Sequence, residues 1–233
     1  MTDATPGLAT PGLREVVLGG NAKVWRALAA GTRMAQRFTT TLSHRDLASF
    51  AFTPQDRVWV FAYSRDPAQN SALLQRLQSA GVAELVYVSS SAVIVNERSN
   101  CYEYPRVKHL AEQEVRALPQ GRVLTLGLVY GQPDELPGGD NIATSHARLA
   151  DFMLAPHWPE EGGTGRRLFE RIRRPFKHPL DAGLFTLYGS LMALAAGHPC
   201  LLRPLDLLLR SLGLRWYGYT YLSNRLWISK TSS

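Results

Sequence analysis

The stretch that decides the fold is Leu85-Val-Tyr-Val-Ser-Ser-Ser-Ala92, an apolar run that ends in three serines. A run of consecutive apolar residues is typical of a parallel strand that is covered on both faces. In an open α/β sheet, ligands bind in the crevice outside the carboxyl ends of such strands. The sequence therefore predicts a buried strand that delivers serine hydroxyls to a ligand-binding crevice.

A second pattern follows closely, Tyr104-Pro-Arg-Val-Lys108. Residues four apart share one face of a helix, with about 5–6 Å between their Cβ atoms. An ammonium group at that distance favours the tyrosinate, so we expect Lys108 to lower the phenol pKa of Tyr104 from its reference value of about 10. A serine hydroxyl beside such a phenol makes a proton-transfer site suited to alcohol–ketone chemistry.

Taken in order, Tyr-Val-Ser-Ser-Ser-Ala, Tyr-x-x-x-Lys-His-Leu-Ala-Glu and Val129-Tyr-Gly131 resemble the extended short-chain dehydrogenases/reductases, and within them the nucleotide-sugar epimerase/dehydratase group. The resemblance covers roughly residues 14–131. It implies a Rossmann-like, doubly wound parallel α/β sheet with a small C-terminal substrate lobe. It also implies that Ser91 orients the substrate, that Tyr104 is the general acid/base, and that Lys108 lowers the tyrosine pKa and holds the nicotinamide ribose.

The turn after the first strand is the expected cofactor-binding segment. A strand that begins at Arg14 runs into two glycines, and a helix over Asn21–Ala30 follows, with Asn21 as its cap. The resemblance places the dinucleotide pyrophosphate here, although Ala22 and Trp25 stand where the family has its second and third glycines. The residues expected to contact the dinucleotide are Gly19, Gly20, Asn21 and Ala22.

Further binding residues are implied by the same resemblance. Arg37 stands near the end of the expected second strand, where it could accept a 2′-phosphate, a hint of NADP over NAD. Asp46 is expected either to contact the adenine or to cap a turn, and Ala62 to line the cofactor at the next strand end. Ser90 and Asn141 are expected to contact the substrate, Asn141 also being a plausible cap for a helix over 142–154.

Length and composition suit one α/β unit. The 233 residues divide into an expected flexible lead (1–12), a dinucleotide-binding core (13–140) and a substrate-side lobe (141–233) that is integrated with the core. Segment 33–52 should hold the second and third strands, and 221–229 a closing strand.

Two cysteines imply no disulfide framework, which makes a reducing cytoplasm the default. The family resemblance further implies a homodimer built on helices over 70–80 and 105–118.

The net charge of +7 suggests anionic ligands or surfaces, a description that fits nucleotides, nucleic acids and anionic lipids. No nucleic-acid-binding module is recognisable, and the six histidines are scattered without a metal-ligand spacing. Segment 166–177 holds six basic residues and one acid on an expected helix. Three interpretations stay open for it: a clamp for a pyrophosphate, peripheral contact with an anionic membrane, or a solvated face.

Two functions follow from these patterns. The first is an NAD(P)-dependent epimerase or reductase that acts on a nucleotide-sugar or a related hydroxyl or keto substrate. The second is a non-catalytic Rossmann-fold protein that senses the cofactor or binds a partner. The altered glycine pattern and a spacing of only 13 residues from Ser91 to Tyr104 favour the second function. The retention of serine, tyrosine and lysine together favours the first.

Overall fold

The computed structural model describes residues 12–43, 45–62, 64–155, 164–211 and 218–231. The strands are β1 (Arg14–Leu18), β2 (Thr40–Leu42), β3 (Asp56–Val60), β4 (Glu84–Ser90), β5 (Gly121–Leu126), β6 (Leu128–Tyr130), β7 (Gly139–Ser145), β8 (Gly165–Arg167) and β9 (Glu170–Arg174). The α-helices are α1 (Lys23–Ala29), α2 (Thr32–Arg37), α3 (Pro67–Ser79), α4 (Glu103–Arg116), α5 (His146–Leu154), α6 (Pro179–Ala195), α7 (Pro199–Ser211) and α8 (Gly218–Thr231). Short 3₁₀ helices cover Asp46–Ala48, Ser91–Glu97 and Pro133–Glu135.

The main sheet has six parallel strands in the order β2-β1-β3-β4-β5-β8. The chain first adds β2 on one side of β1. It then crosses to the other side of β1, where β3 pairs with it. The carboxyl ends of β1 and β3 therefore border the crevice that a doubly wound sheet opens at its switch point. The predicted fold class, a Rossmann-like α/β sheet, is confirmed.

The environment of strand β4 explains the unbroken apolar run in its sequence. Leu85 and Tyr87 pack into a cluster with α3 and α4 on one face of the sheet. Val86 and Val88 pack into a cluster with α1, α2 and α5 on the other face. Alternate residues of a strand point to opposite faces, so a strand covered on both sides needs apolar residues at every position.

A smaller sheet and three helices form the C-terminal part. Strand β7 pairs in parallel with β6 and antiparallel with β9, and it spans the boundary expected at residue 140. Helices α6, α7 and α8 enclose a third apolar cluster that includes Tyr188, Met192 and Trp227. That cluster also takes in Ile94 and Val95, so the C-terminal lobe packs directly on the 3₁₀ helix that follows the serines of β4.

One expected strand in the first half and one expected helix are placed differently. Segment 33–52 holds only one strand, β2, and the next strand begins at Asp56 on the other side of β1. The helix expected over 166–177 is wrong, because this segment forms β8 and β9. In β9 the exposed Arg171 and Arg173 flank Ile172, which packs towards Tyr130 and Leu136, a strand period of two.

The closing strand expected over 221–229 is also wrong, because α8 occupies this segment. Ser223 and Trp227 are four residues apart and both contact the segment after β4, a helical spacing. The two helices that were expected to build a dimer are present as α3 and α4, and they pack against each other. Among the described helices, none has the length and apolar character needed to cross a membrane.

Candidate functional site

The three serines at the end of β4 have three different environments. Ser89 is buried beside the Glu112 side chain of α4. The Ser90 hydroxyl accepts a hydrogen bond from the Ala92 N–H at 3.2 Å, and it also lowers the pKa of the Tyr104 phenol against the effect of burial. The Ser91 side chain is buried at 5% exposure. Ser90, rather than Ser91, is therefore the serine that acts on the candidate acid/base.

Ser91 contributes its backbone to the structure instead. Its carbonyl oxygen accepts hydrogen bonds from the Ser223 hydroxyl at 3.0 Å and from the Trp227 indole N–H at 2.9 Å. Both donors belong to α8. These two bonds anchor the last helix of the chain on the segment that carries the serines.

Tyr104 lies in the first turn of α4 and is half-buried. Its ring stacks on the Tyr219 ring of α8, with 5.6 Å between the centroids and 23° between the planes. Burial raises the pKa of the Tyr104 phenol, and the hydrogen bond with Ser90 opposes that rise. The lowered pKa predicted from the Tyr-x-x-x-Lys spacing is therefore wrong for the protein alone, because desolvation outweighs the effects that favour tyrosinate.

Lys108 reaches into the sheet from the next turn of α4. Its Nζ donates a hydrogen bond to the Val88 carbonyl oxygen at 2.9 Å and lies 4.7 Å from the centre of the Tyr87 ring. Burial lowers the pKa of Lys108 to about 8, and the nearby Glu112 carboxylate opposes that change. Burial likewise raises the pKa of Glu112. The Lys108 side chain thus lies one helical turn beyond Tyr104, at the carboxyl end of β4, and Glu112 follows one turn later.

The lowered pKa of Lys108 predicts a pH dependence of stability. The unfolded lysine holds its proton up to its ordinary pKa of 10.5, whereas the folded one releases it near 8. Between these values the unfolded state binds more protons, so the free energy of unfolding should rise with pH, by up to about 1.4 kcal/mol per pH unit. Urea unfolding from about pH 7.5 to about pH 9.5, below the ionisation of most tyrosines, measures the slope.

Lys108→Met should remove this rise, and Lys23→Met, which changes an exposed lysine on α1, should keep it. An equal slope in wild type and Lys108→Met would contradict the lowered pKa.

The turn after β1 has the glycine that a close backbone approach requires. Gly19 has φ +98°, and a Cβ there would lie 2.7 Å from the backbone nitrogen of Ala62. A side chain at Gly20 would meet Thr41 Cγ2 at 2.6 Å. Ala62 is buried beside the turn, at the end of β3, and its N–H donates to the Leu18 carbonyl at 3.1 Å. The turn therefore joins the carboxyl ends of β1 and β3 at the switch point.

The helix after this turn begins later than expected. Ala22 takes the N-cap position of α1 without a side-chain cap, and its N–H donates to the Gly19 carbonyl at 2.7 Å. The predicted capping role of Asn21 is therefore wrong, and Asn21 is exposed within the turn. Trp25 is buried, with its ring centroid 5.5 Å from that of Phe38 and 5.7 Å from that of Phe61. The indole thus fills the core beneath α1.

Arg37 and Asp46 were expected to contact the adenosine half of the dinucleotide, and both have other partners in the structure. The Arg37 guanidinium ends α2 and donates to Glu15 at 3.2 Å, near the amino end of β1. That edge is opposite to the one where Gly19 lies, so the structure does not support a contact between Arg37 and a 2′-phosphate. Asp46 follows β2 and accepts hydrogen bonds from the Ser43 N–H and hydroxyl, both at 2.7 Å, which lower its pKa. Its turn role is thus present.

Asn141 does not open a helix. It lies fully buried within β7, and its side-chain amide donates to the carbonyls of Pro137 and Gly139. The helix predicted to begin at residue 142 begins at His146, and Ser145 caps it by accepting from the Arg148 N–H at 3.1 Å. The substrate contact expected of Asn141 therefore has no support from its position.

The contact that the sequence did not predict is that of the Tyr219 ring with Tyr104. Tyr219 belongs to an aromatic-rich C-terminal segment that fits either a ligand-binding surface or core packing. Neither interpretation places its ring on the candidate acid/base, because that contact depends on how α8 packs on the segment after β4.

Several solved structures are similar to this chain. A partial-consensus L-threonine 3-dehydrogenase is 11% identical, with a TM-score of 0.50 over 76% of this chain and 82% of that chain. A UDP-galactose 4-epimerase is 13% identical, with a TM-score of 0.49 over 78% and 83%. The Bordetella bronchiseptica enzyme WbmG, solved with NAD and UDP, is 10% identical, with a TM-score of 0.49 over 70% and 75%.

No protein-family profile and no curated protein matches the chain. The similarity to the threonine dehydrogenase concerns the fold alone, because a shared fold does not imply a shared function.

Proposed function

We propose that the chain is an NAD(P)-dependent oxidoreductase or epimerase that acts on a hydroxyl or keto group of an anionic substrate such as a nucleotide-sugar. The observation that carries the proposal is the placement of Ser90 and Tyr104 together at the carboxyl end of β4, where the Ser90 hydroxyl counteracts the rise that burial causes in the pKa of Tyr104. Lys108 is buried one helical turn away. A hydroxyl, a phenol and an amine at the open edge of a doubly wound sheet are what proton transfer to a reacting oxygen requires.

The switch point fits a dinucleotide. The left-handed backbone of Gly19 keeps the turn tight against β3, where a side chain would collide with backbone atoms. The residues that would hold the cofactor are Gly19, Gly20, Ala22, Ala62 and Lys108. When bound, the nicotinamide supplies the hydride acceptor or donor.

Tyr104 would carry the proton. Because burial raises its pKa, the phenol is protonated near neutral pH and is ready to donate to a substrate carbonyl oxygen as that carbonyl is reduced. Ser90 and the Lys108 ammonium then stabilise the tyrosinate that remains. The reverse reaction requires the tyrosinate first, so alcohol oxidation should be faster at alkaline pH than at neutral pH.

The stacking of Tyr219 on Tyr104 favours a second candidate function, a cofactor-binding protein without turnover. Helix α8 is fixed on Ser91 by two hydrogen bonds and sets the Tyr219 ring against the phenol. In such a protein, α8 would seal the substrate side of the crevice while the dinucleotide side remains open.

A pair of serine variants tests the proposed function. In an assay of nicotinamide reduction with a panel of nucleotide-sugars, Ser90→Ala should lower turnover by about 10²-fold, because it removes the hydroxyl that the phenol contacts. Ser91→Ala, at a buried position that serves the structure through its backbone, is the matched control and should keep turnover within about threefold.

The opposite ranking would assign the catalytic hydroxyl to Ser91. Cofactor binding without turnover of any substrate on the panel would favour the second function.

A further inference from the structure

The exposed large apolar side chains are concentrated on two neighbouring helices. Of the eight among the described residues, seven lie on α6 and α7. We name these seven the leucine surface: Leu180, Leu184, Leu187, Leu194, Leu201, Leu207 and Leu208. Leu180 is 79% exposed and Leu194 is 75% exposed, values far above those of core leucines. A concentration of exposed large apolar side chains on two neighbouring helices is a candidate interaction site.

Helix α6 is apolar on two sides. Tyr188, Met192 and Ala195 are buried against the C-terminal cluster, which accounts for one side. The four exposed leucines of α6 are spaced at four, three and seven residues, so they run along another side of the helix. Packing within the C-terminal lobe accounts for the apolar residues on the first side of α6. It does not account for the exposed leucines on the second side.

The leucine surface has an uncharged centre. No Asp, Glu, Lys or Arg occurs between Ala182 and Leu202. Arg174 and Lys177 line the same cleft as Leu184, together with the acids Asp134, Glu135 and Asp181, and the exposed Arg203 lies between Leu201 and Leu207 on α7. An occupant of this surface must therefore offer an apolar interior, and the net charge of +7 favours one that also carries negative charge.

Two occupants from the chain itself fit poorly. A second copy would bring together two chains that each carry a net charge of +7. The N-terminal segment 1–11 contains a single leucine, Leu8, which is too little apolar surface to cover the seven leucines. The surface of a membrane that contains anionic phospholipid satisfies both requirements, because acyl chains accept leucines and headgroups attract Lys and Arg.

We propose that the leucine surface docks the protein on anionic membranes as a peripheral contact. The leucines enter the boundary between headgroups and acyl chains, and the exposed side chains of Lys177 and Arg203 contact the headgroups. This inference does not depend on the proposed enzymatic function. It differs from the membrane contact considered for segment 166–177, because α6 and α7 supply the apolar part.

Vesicle sedimentation tests the proposal. The full chain should partition onto vesicles of two parts phosphatidylcholine and one part phosphatidylserine about tenfold more strongly than onto phosphatidylcholine alone, and added salt should weaken the binding. The double variant Leu184→Glu with Leu187→Glu should lose at least about tenfold in partitioning. Leu110→Glu, which changes a partly exposed leucine on α4, is the matched control and should bind like wild type.

A charge variant keeps the test independent of the leucines. Lys177→Glu with Arg203→Glu should weaken binding to the mixed vesicles and leave the circular-dichroism spectrum unchanged. Absence of vesicle binding, equal binding to both lipid compositions, or unchanged binding of the double leucine variant would overturn the proposal. So would a wild-type dimer in light scattering that Leu184→Glu with Leu187→Glu converts to a monomer, since that result would assign the surface to a second copy.

Discussion

Replacing Tyr104 by phenylalanine is expected to lower turnover by a factor of about 10²–10⁴ and to leave the affinity for the nicotinamide dinucleotide unchanged. Phenylalanine preserves the ring that stacks on Tyr219, so the packing between α4 and α8 survives. It lacks the hydroxyl that contacts Ser90 and would exchange a proton with the substrate. Steady-state kinetics and calorimetric titration on the same preparation measure both quantities.

Tyr102→Phe is the matched control for this variant. Tyr102 stands two residues earlier, is buried, and directs its hydroxyl to the Met192 sulfur at 3.6 Å rather than to Ser90. Loss of this hydroxyl should leave turnover within about twofold, because it touches neither the serine nor the cofactor turn. Undiminished turnover in Tyr104→Phe would remove the phenol from the mechanism.

Replacing Trp25 by glycine is expected to destabilise the fold by about 3–5 kcal/mol for the cavity, with about 1 kcal/mol more for glycine within a helix. From sequence alone, this indole is a candidate obstacle at the pyrophosphate turn, whose removal would raise dinucleotide affinity. The structure instead packs it against Phe38 and Phe61 beneath α1. Its loss should therefore loosen the helix that frames the turn, and the dinucleotide should bind more weakly.

Arg26→Gly separates the two contributions. Arg26 is exposed on the same helix, so its replacement carries the cost of glycine, about 1 kcal/mol, without a cavity. Denaturant unfolding of both variants gives the difference. A Trp25→Gly variant that is as stable as Arg26→Gly and binds the dinucleotide more tightly would contradict the structural role of the indole.

The parts of the fold that were predictable have local signals strong enough to stand alone. The four residues from Leu85 to Val88 are all apolar or aromatic, as the middle of a strand covered by helices on both faces must be. Helix α4 combines a proline in its first turn with apolar residues at helical spacing, and both features appear in the sequence. These two elements fixed the place of Tyr104 and Lys108 in the fold.

The parts that were not predictable depend on contacts distant in sequence. Helix α8 binds the Ser91 carbonyl from more than 130 residues away, and no local pattern in three adjacent serines indicates that contact. Segment 166–177 has basic residues that tolerate a helix or a strand equally, and pairing with β7 selects the strand. The pKa of Tyr104 follows from burial under Tyr219, which the Tyr-x-x-x-Lys spacing does not contain.

Calorimetric titration of the full chain with NAD⁺, NADH, NADP⁺ and NADPH tests the proposed cofactor site most directly. Micromolar binding of at least one dinucleotide is expected, with one site per chain. Gly19→Ala should abolish this binding, because a Cβ there would meet the backbone of β3 at a positive φ. Absence of binding for all four dinucleotides up to millimolar concentration would contradict a nicotinamide-dependent function and leave Ser90, Tyr104 and Lys108 without a redox partner.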